Sequence, residues 1–131
     1  MKILITDDDF NSRLLLQELL KSYGPSQVAV NGREAVEAVG AALGAGEPYD
    51  LICLDIMMPE MDGQEALLGI RALEDAKGIV PPHGAKIVMT TAKNDIRSVA
   101  AAYSHLCDAY LAKPIRKASL LEELRKLALI N

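Results

Sequence analysis

Asp7, Asp8 and Asp9 stand in a row near the start of the chain, directly after the apolar run Ile3-Leu4-Ile5-Thr6. Asp55 follows Leu51-Ile52-Cys53-Leu54, Thr90 and Thr91 follow Ile87-Val88-Met89, and Lys113 follows Ala109-Tyr110-Leu111-Ala112. If the first and third runs are neighbours, Asp7, Asp8 and Asp55 lie close together. Uncompensated, such carboxylates repel one another and raise each other's pKa. A hard divalent cation removes that conflict, and Mg²⁺ suits one or two carboxylates combined with phosphate oxygens and water. A carboxylate can attack phosphorus to form an acyl phosphate, which makes Asp55 the candidate nucleophile. Phosphoryl transfer needs mainly positioning and charge neutralisation. Mg²⁺ and Lys113 would supply the positive charge, and the Thr91 hydroxyl can donate to a phosphoryl oxygen. Each residue also has a plainer use: Asp7–Asp9 as a solvated helix cap, Lys113 as a surface lysine before a proline, Thr91 as a strand-end hydrogen bonder. Their joint occurrence at strand ends favours the chemistry.

These positions depend on five short apolar runs that alternate with helical patterns. Val28-Ala29-Val30 is the second run. A first helix carries Leu15, Leu16, Leu19, Leu20 and Tyr23 on one stripe, and Gly24 can terminate it. Asn31 and Glu34 have capping-box spacing for a second helix through Ala35, Val36, Val39, Ala42 and Leu43. Asp62 and Glu65 repeat that spacing before a third helix through Ala66, Ile70 and Leu73. A fourth helix is expected over Asp95–Tyr103. The last carries Leu120, Leu124 and Leu127 inward, with Glu122, Glu123, Arg125 and Lys126 outward. The third run is apolar throughout, so both of its faces should be covered. Alternating strands and helices imply right-handed crossovers and a parallel sheet. Ligands bind such sheets at the carboxyl ends of the strands, beside a topological switch point. Asp7, Asp8, Asp55, Thr91 and Lys113 converge there, whereas Asn31 and Gly32, after the second run, carry no obvious chemistry.

The 131 residues suit one domain, residues 1–131, and half of them are apolar. The formal net charge of −4 argues against a nucleic-acid surface. Cys53 and Cys107 lie in apolar surroundings with no metal-ligand spacing, so buried free thiols in a reducing cytoplasm are expected. The apolar run after Lys2 is too short for a signal peptide. No stretch approaches the roughly 20 apolar residues of a membrane span.

Asp7-Asp8-Asp9, Asp55-Ile56-Met57-Met58-Pro59-Glu60-Met61-Asp62-Gly63, Thr91-Ala92 and Lys113-Pro114-Ile115 resemble the receiver domains of two-component response regulators. The resemblance runs from Lys2 to Leu127. It implies a flavodoxin-like α/β sandwich, (βα)5, with strand order 2-1-3-4-5. It makes Asp55 the phosphoacceptor and Asp8 a direct Mg²⁺ ligand, with Asp7 acting partly through water and the Met57 backbone carbonyl completing the protein ligands. Lys113 would pair with the phosphoryl group, and the Lys113–Pro114 bond is often cis in this family. Thr91 would be the switch hydroxyl and Tyr110 the switch aromatic. Met57 and Lys93 would flank the approach of the hydrolytic water, and both are expected to slow hydrolysis.

Three features depart from the family pattern. Leu106 stands where a Gly would ease a positive φ, and the neighbouring His105 reads as a surface histidine without a ligand partner. Asp75–Ala85 is longer than the usual connection and, with Gly78, Pro81, Pro82 and Gly84, should be a loop. With the chain ending at Asn131, no output domain is expected.

The resemblance therefore points to a stand-alone cytoplasmic switch rather than an enzyme, of the kind found in chemotaxis. A sensor histidine kinase or phosphotransfer protein would phosphorylate Asp55. A downstream protein would bind at the face formed by the fourth helix, fifth strand and fifth helix, without nucleic acid or membrane. A haloacid-dehalogenase-type phosphohydrolase needs a second Asp two residues after the nucleophile, where this chain has Met57. An interaction module that is never phosphorylated fits poorly with intact Asp8, Asp55, Thr91 and Lys113.

Overall fold

The computed structural model describes residues 1–80, 82–92 and 106–131. Its elements are β1 (Ile3–Thr6), α1 (Phe10–Leu20), β2 (Ser26–Ala29), α2 (Gly32–Gly44), β3 (Leu51–Asp55), α3 (Gly63–Ala76), β4 (Lys86–Ala92), β5 (Ala109–Lys113) and α4 (Lys117–Lys126). The helix expected over Asp95–Tyr103, together with Lys93 and His105, lies outside the described residues.

The strands form one parallel sheet in the order β2-β1-β3-β4-β5. This is the expected flavodoxin-like arrangement. Side chains alternate across a strand, so each strand feeds two cores. Leu4, Ile52, Leu54, Ile87 and Met89 pack with Ala35, Val39, Leu67 and Ile70 from α2 and α3. Ile3, Ile5, Leu51, Cys53 and Val88 pack on the other face with Leu16 and Leu20 of α1 and Leu120 and Leu124 of α4. The uninterrupted apolar run of β3 is explained by this two-sided burial. Ile52 is fully buried between β1 and β4. Cutting it to Ala would cost about 2–5 kcal/mol.

Helix starts follow the caps. Asp9 accepts from the Ser12 backbone N–H at 2.9 Å and opens α1. Asp62 and Glu65 form a reciprocal capping box on α3. On α2, Asn31 accepts from the Glu34 N–H, but Glu34 reaches back to the N–H of Val30 rather than to that of Asn31.

Some boundaries differ from the sequence expectation. β2 covers Ser26–Ala29, and Val28 and Val30 are exposed. As the edge strand it is paired on one side only, so of its apolar run only Ala29 joins the core. On α1, Leu15 of the expected stripe is exposed. α3 continues to Ala76, so the long connection starts after the expected Asp75. It is pinned at its root by buried Glu74, whose carboxylate accepts from the Ala85 N–H at 2.8 Å. Arg71 pairs with Glu74 at 2.7 Å and with Asp108 at 3.0 Å, and donates to the carbonyls of Ala85 and Leu106. The turn at Leu106, where the family pattern has small residues, is therefore tied to α3 by a guanidinium.

Candidate functional site

Asp7 follows β1, Asp55 ends β3 and Lys113 ends β5, so parallel register brings their side chains to one sheet edge. Lys113 Nζ lies 3.0 Å from Asp7 Oδ2 and 3.2 Å from Asp55 Oδ1. Asp7 and Asp55 are buried, at 1% and 3% exposure, and Asp8 is exposed. One carboxylate oxygen from each of Asp7, Asp8 and Asp55 falls within 4.8 Å of the other two.

Asp9 is not part of this cluster. Its carboxylate caps α1, and its backbone N–H donates to Asp7 Oδ1 at 2.9 Å. Hydrogen bonds from the Ser12 backbone N–H and then the Ser12 hydroxyl hold the Asp9 carboxyl below its ordinary value. Arg13 on α1 donates to the Asp7 carbonyl at 2.9 Å and braces the same turn.

Burial, and next the charge of Asp7, push the Asp55 carboxyl up to about 6, against the opposing pull of Lys113. Burial pulls the Lys113 ammonium down, but Asp7 and Asp55 outweigh it and leave the group above its ordinary value. Among the described residues, the Lys113 ammonium pairs with two of the three clustered carboxylates, Asp7 and Asp55, an excess of negative charge on oxygen donors that a hard cation such as Mg²⁺ fits.

Two glycines let the backbone close in. A Cβ on Gly63 would collide with the Asp55 carbonyl oxygen, and one on Gly32 with that of Met61. Next to the carboxylates, a cavity of about 500 Å³ opens between α1 and the segment after β5, lined by Leu15, Leu16, Thr90, Lys113 and Ile115 among others.

Thr91 is buried on β4, and its hydroxyl has no hydrogen-bond partner among the described residues. Met89 pairs with Tyr110 and Thr91 with Ala112, so Thr91 and Tyr110 share one face of the sheet. Tyr110 packs against the core and its hydroxyl hydrogen-bonds the Cys107 thiol. Met57 stands in solvent at 69% exposure. Lys93 is among the residues not described. The Lys113–Pro114 bond is cis.

Asn31 and Glu60 were not legible as partners. Asn31 is buried, and its side-chain amide donates to Glu60 Oε2 at 3.0 Å across 29 residues of sequence. No local spacing signals such a contact.

Residues 3–125 match the response regulator receiver domain family. The chain belongs to that family. It is 39% identical over 131 residues to hybrid signal transduction histidine kinase B of Dictyostelium discoideum, covering 95% of this chain and 6% of the kinase. The response regulator TrrA of Thermotoga maritima, solved in complex with Mg(2+)-BeF, matches with a TM-score of 0.74 at 34% identity over 96% of this chain and 97% of that one. The co-crystal structure of the Saccharomyces cerevisiae histidine phosphotransfer signaling protein Ypd1 with the receiver domain of Ssk1 matches with a TM-score of 0.80 at 26% identity, over 97% of this chain and 88% of that one. The chain spans between 6% and 16% of the hybrid and sensor proteins it resembles.

As a receiver domain, this chain is a phosphoryl-accepting module of two-component signalling, and receiver domains act as signalling switches. Receiver domains bind Mg²⁺ at an acidic pocket and interact with histidine kinases or phosphotransfer proteins. Among the described residues, no helix is long and apolar enough to cross a membrane.

Proposed function

We propose that this receiver domain takes a phosphoryl group on Asp55 from a sensor histidine kinase or phosphotransfer protein and signals by phosphorylation-dependent binding of a downstream protein. The observation that carries the reading is Lys113 Nζ within 3.2 Å of both Asp7 and Asp55 in a three-carboxylate cluster. An Asp55 oxygen attacks phosphorus in line with the donor's imidazole nitrogen. The O–P bond forms as the P–N bond breaks, and the electron pair stays on the imidazole.

Asp7, Asp8, Asp55 and the backbone carbonyl of Met57 are the groups that would hold Mg²⁺. When bound, the cation offsets the charge of the carboxylates and the phosphoryl oxygens. Lys113 is then drawn to a phosphoryl oxygen, its strongest available partner. The Thr91 hydroxyl is recruited to another, and the space it vacates admits the Tyr110 ring, altering the face around β5 and α4. Met57 flanks the approach of water and lengthens the phosphorylated lifetime.

The test is intact mass after incubation with acetyl phosphate and Mg²⁺. One phosphoryl group is expected on the wild type and none on Asp55→Asn. Equal uptake by Asp55→Asn sinks the assignment.

A further inference from the structure

Building on this Mg²⁺-dependent reading, we propose that Asn31 acts through Glu60 as a positioning residue, latching the loop that carries Met57 in the conformation that receives the cation. The loop runs from Ile56 to Asp62, between β3 and α3. Its ends are held by backbone bonds, Ile56 N–H to the Thr90 carbonyl at 3.0 Å and Gly63 N–H to the Ile56 carbonyl at 2.8 Å. Those bonds leave residues 57–61 to be fixed from elsewhere.

Met58 and Met61 pack against the core, and the polar fixing comes from the start of α2. The Gly32 N–H donates to the Met61 carbonyl at 2.9 Å. Glu60 has a φ of +66°. A residue with a Cβ avoids that region and stays there only where its surroundings enforce it. Two donors meet its carboxylate: Asn31 Nδ2 at 3.0 Å and Arg33 Nη2 at 3.1 Å, both on Oε2.

The two donors are unequal. The Arg33–Glu60 pair is exposed on both sides, and such pairs contribute little. Asn31 is 8% exposed and committed at both ends, since its Oδ1 caps α2 through the Glu34 N–H while its amide holds Glu60. The rigid start of α2 is thereby transmitted to the loop through one side chain.

Aspartate caps a helix about as well as asparagine. Asn31→Asp therefore keeps α2 capped, removes the donor and sets a second carboxylate against Glu60. The measurements are Mg²⁺ affinity of the unphosphorylated chain by calorimetry, and amide hydrogen exchange without Mg²⁺. In Asn31→Asp the Mg²⁺ Kd should rise about fivefold, the scale of one net hydrogen bond. Exchange should quicken at Met57–Met61 and stay unchanged in α2. Glu60→Gln keeps an acceptor for Asn31 and should bind Mg²⁺ like the wild type. The double variant Asn31→Asp/Glu60→Gln restores the bond with donor and acceptor exchanged, and should return Kd to within about twofold of the wild type.

An unchanged Kd in Asn31→Asp overturns the latch, as does a double variant that stays as weak as the single. Faster exchange throughout α2 would mean that Asn31 is only a cap, and overturns it too. If the wild type itself binds no Mg²⁺, the functional reading fails first. Wild-type binding with unaffected variants sinks the latch alone.

Discussion

Asp7 and Asp9 are joined by a 2.9 Å hydrogen bond from the Asp9 backbone N–H to Asp7 Oδ1, yet their carboxylates face different tasks. Asp7 points into the buried cluster with Asp55 and Lys113, and Asp9 turns outward to cap α1. The acidic triplet thus supplies both a helix cap and two of the three carboxylates of the candidate cation site.

This division separates two variants. Asp8→Ala removes an exposed cluster carboxylate and should weaken Mg²⁺ binding at least tenfold, an expectation of about 1.4 kcal/mol or more, with little change in metal-free stability. Asp9→Ala should lower stability through loss of the cap and leave Mg²⁺ affinity near the wild-type value. Calorimetric titration and urea unfolding of the two variants check this, and equal losses of affinity contradict it.

The raised Asp55 carboxyl makes metal-free stability pH-dependent. Between the unfolded value, 3.8, and the folded value, about 6, the folded state binds the extra proton. Stability therefore falls as pH rises through that window. Above it the ionised buried carboxylate costs at most about 3 kcal/mol. Asp55→Asn removes that cost, while Lys113 keeps Asp7 as a partner. In urea unfolding without Mg²⁺, Asp55→Asn should be more stable than wild type at pH 8 and nearly equal at pH 4. Equal stability at pH 8 rules the account out.

Thr91 buries a hydroxyl without a partner among the described residues. Thr91→Val keeps the shape and removes the polar atom, so thermal stability of the unphosphorylated protein should be equal or higher, by up to about 2 kcal/mol. Beryllofluoride should shift the Tyr110 ring NMR signals in the wild type and leave them in place in Thr91→Val. A full shift in the variant would show that the hydroxyl does not link the two residues.

Arg71 and Glu74 have side chains 15% and 5% exposed. Arg71→Met leaves the Glu74 carboxylate without its cation and should cost about 3–5 kcal/mol. Adding Glu74→Gln, which keeps an oxygen for the Ala85 N–H, should recover more than about 1 kcal/mol of it. Additive losses in denaturant unfolding would mean that the two side chains do not act as a pair.

Met57 is exposed and cannot hold a water strongly. Met57→Asn supplies a donor and an acceptor there. Loss of the acyl phosphate after donor removal should quicken in this variant. Decay at or below the wild-type rate would show that Met57 does not govern the lifetime.

Much of the molecule was determined by the sequence alone. Four-residue, mainly apolar runs marked β1, β3 and β5, and β3 is apolar throughout its run because both of its faces are buried. Asn31, Asp62 and Glu65 announced the starts of α2 and α3, because caps act over three residues. The strand-end positions of Asp7, Asp8, Asp55, Thr91 and Lys113 were visible for the same local reason, and a parallel sheet carries such ends to one edge.

Only the tertiary structure decided the rest. That Val28 is exposed depends on β2 lying at the sheet edge, a matter of strand order that its own residues do not encode. The parting of Asp9 from Asp7 and Asp8 follows from where α1 starts relative to β3. The Asn31–Glu60 contact and the Arg71–Glu74–Asp108 network join residues 29 and 37 positions apart at their widest. Such pairs leave no periodic trace, because hydrogen-bond geometry is set by how helices and loops settle on the finished sheet.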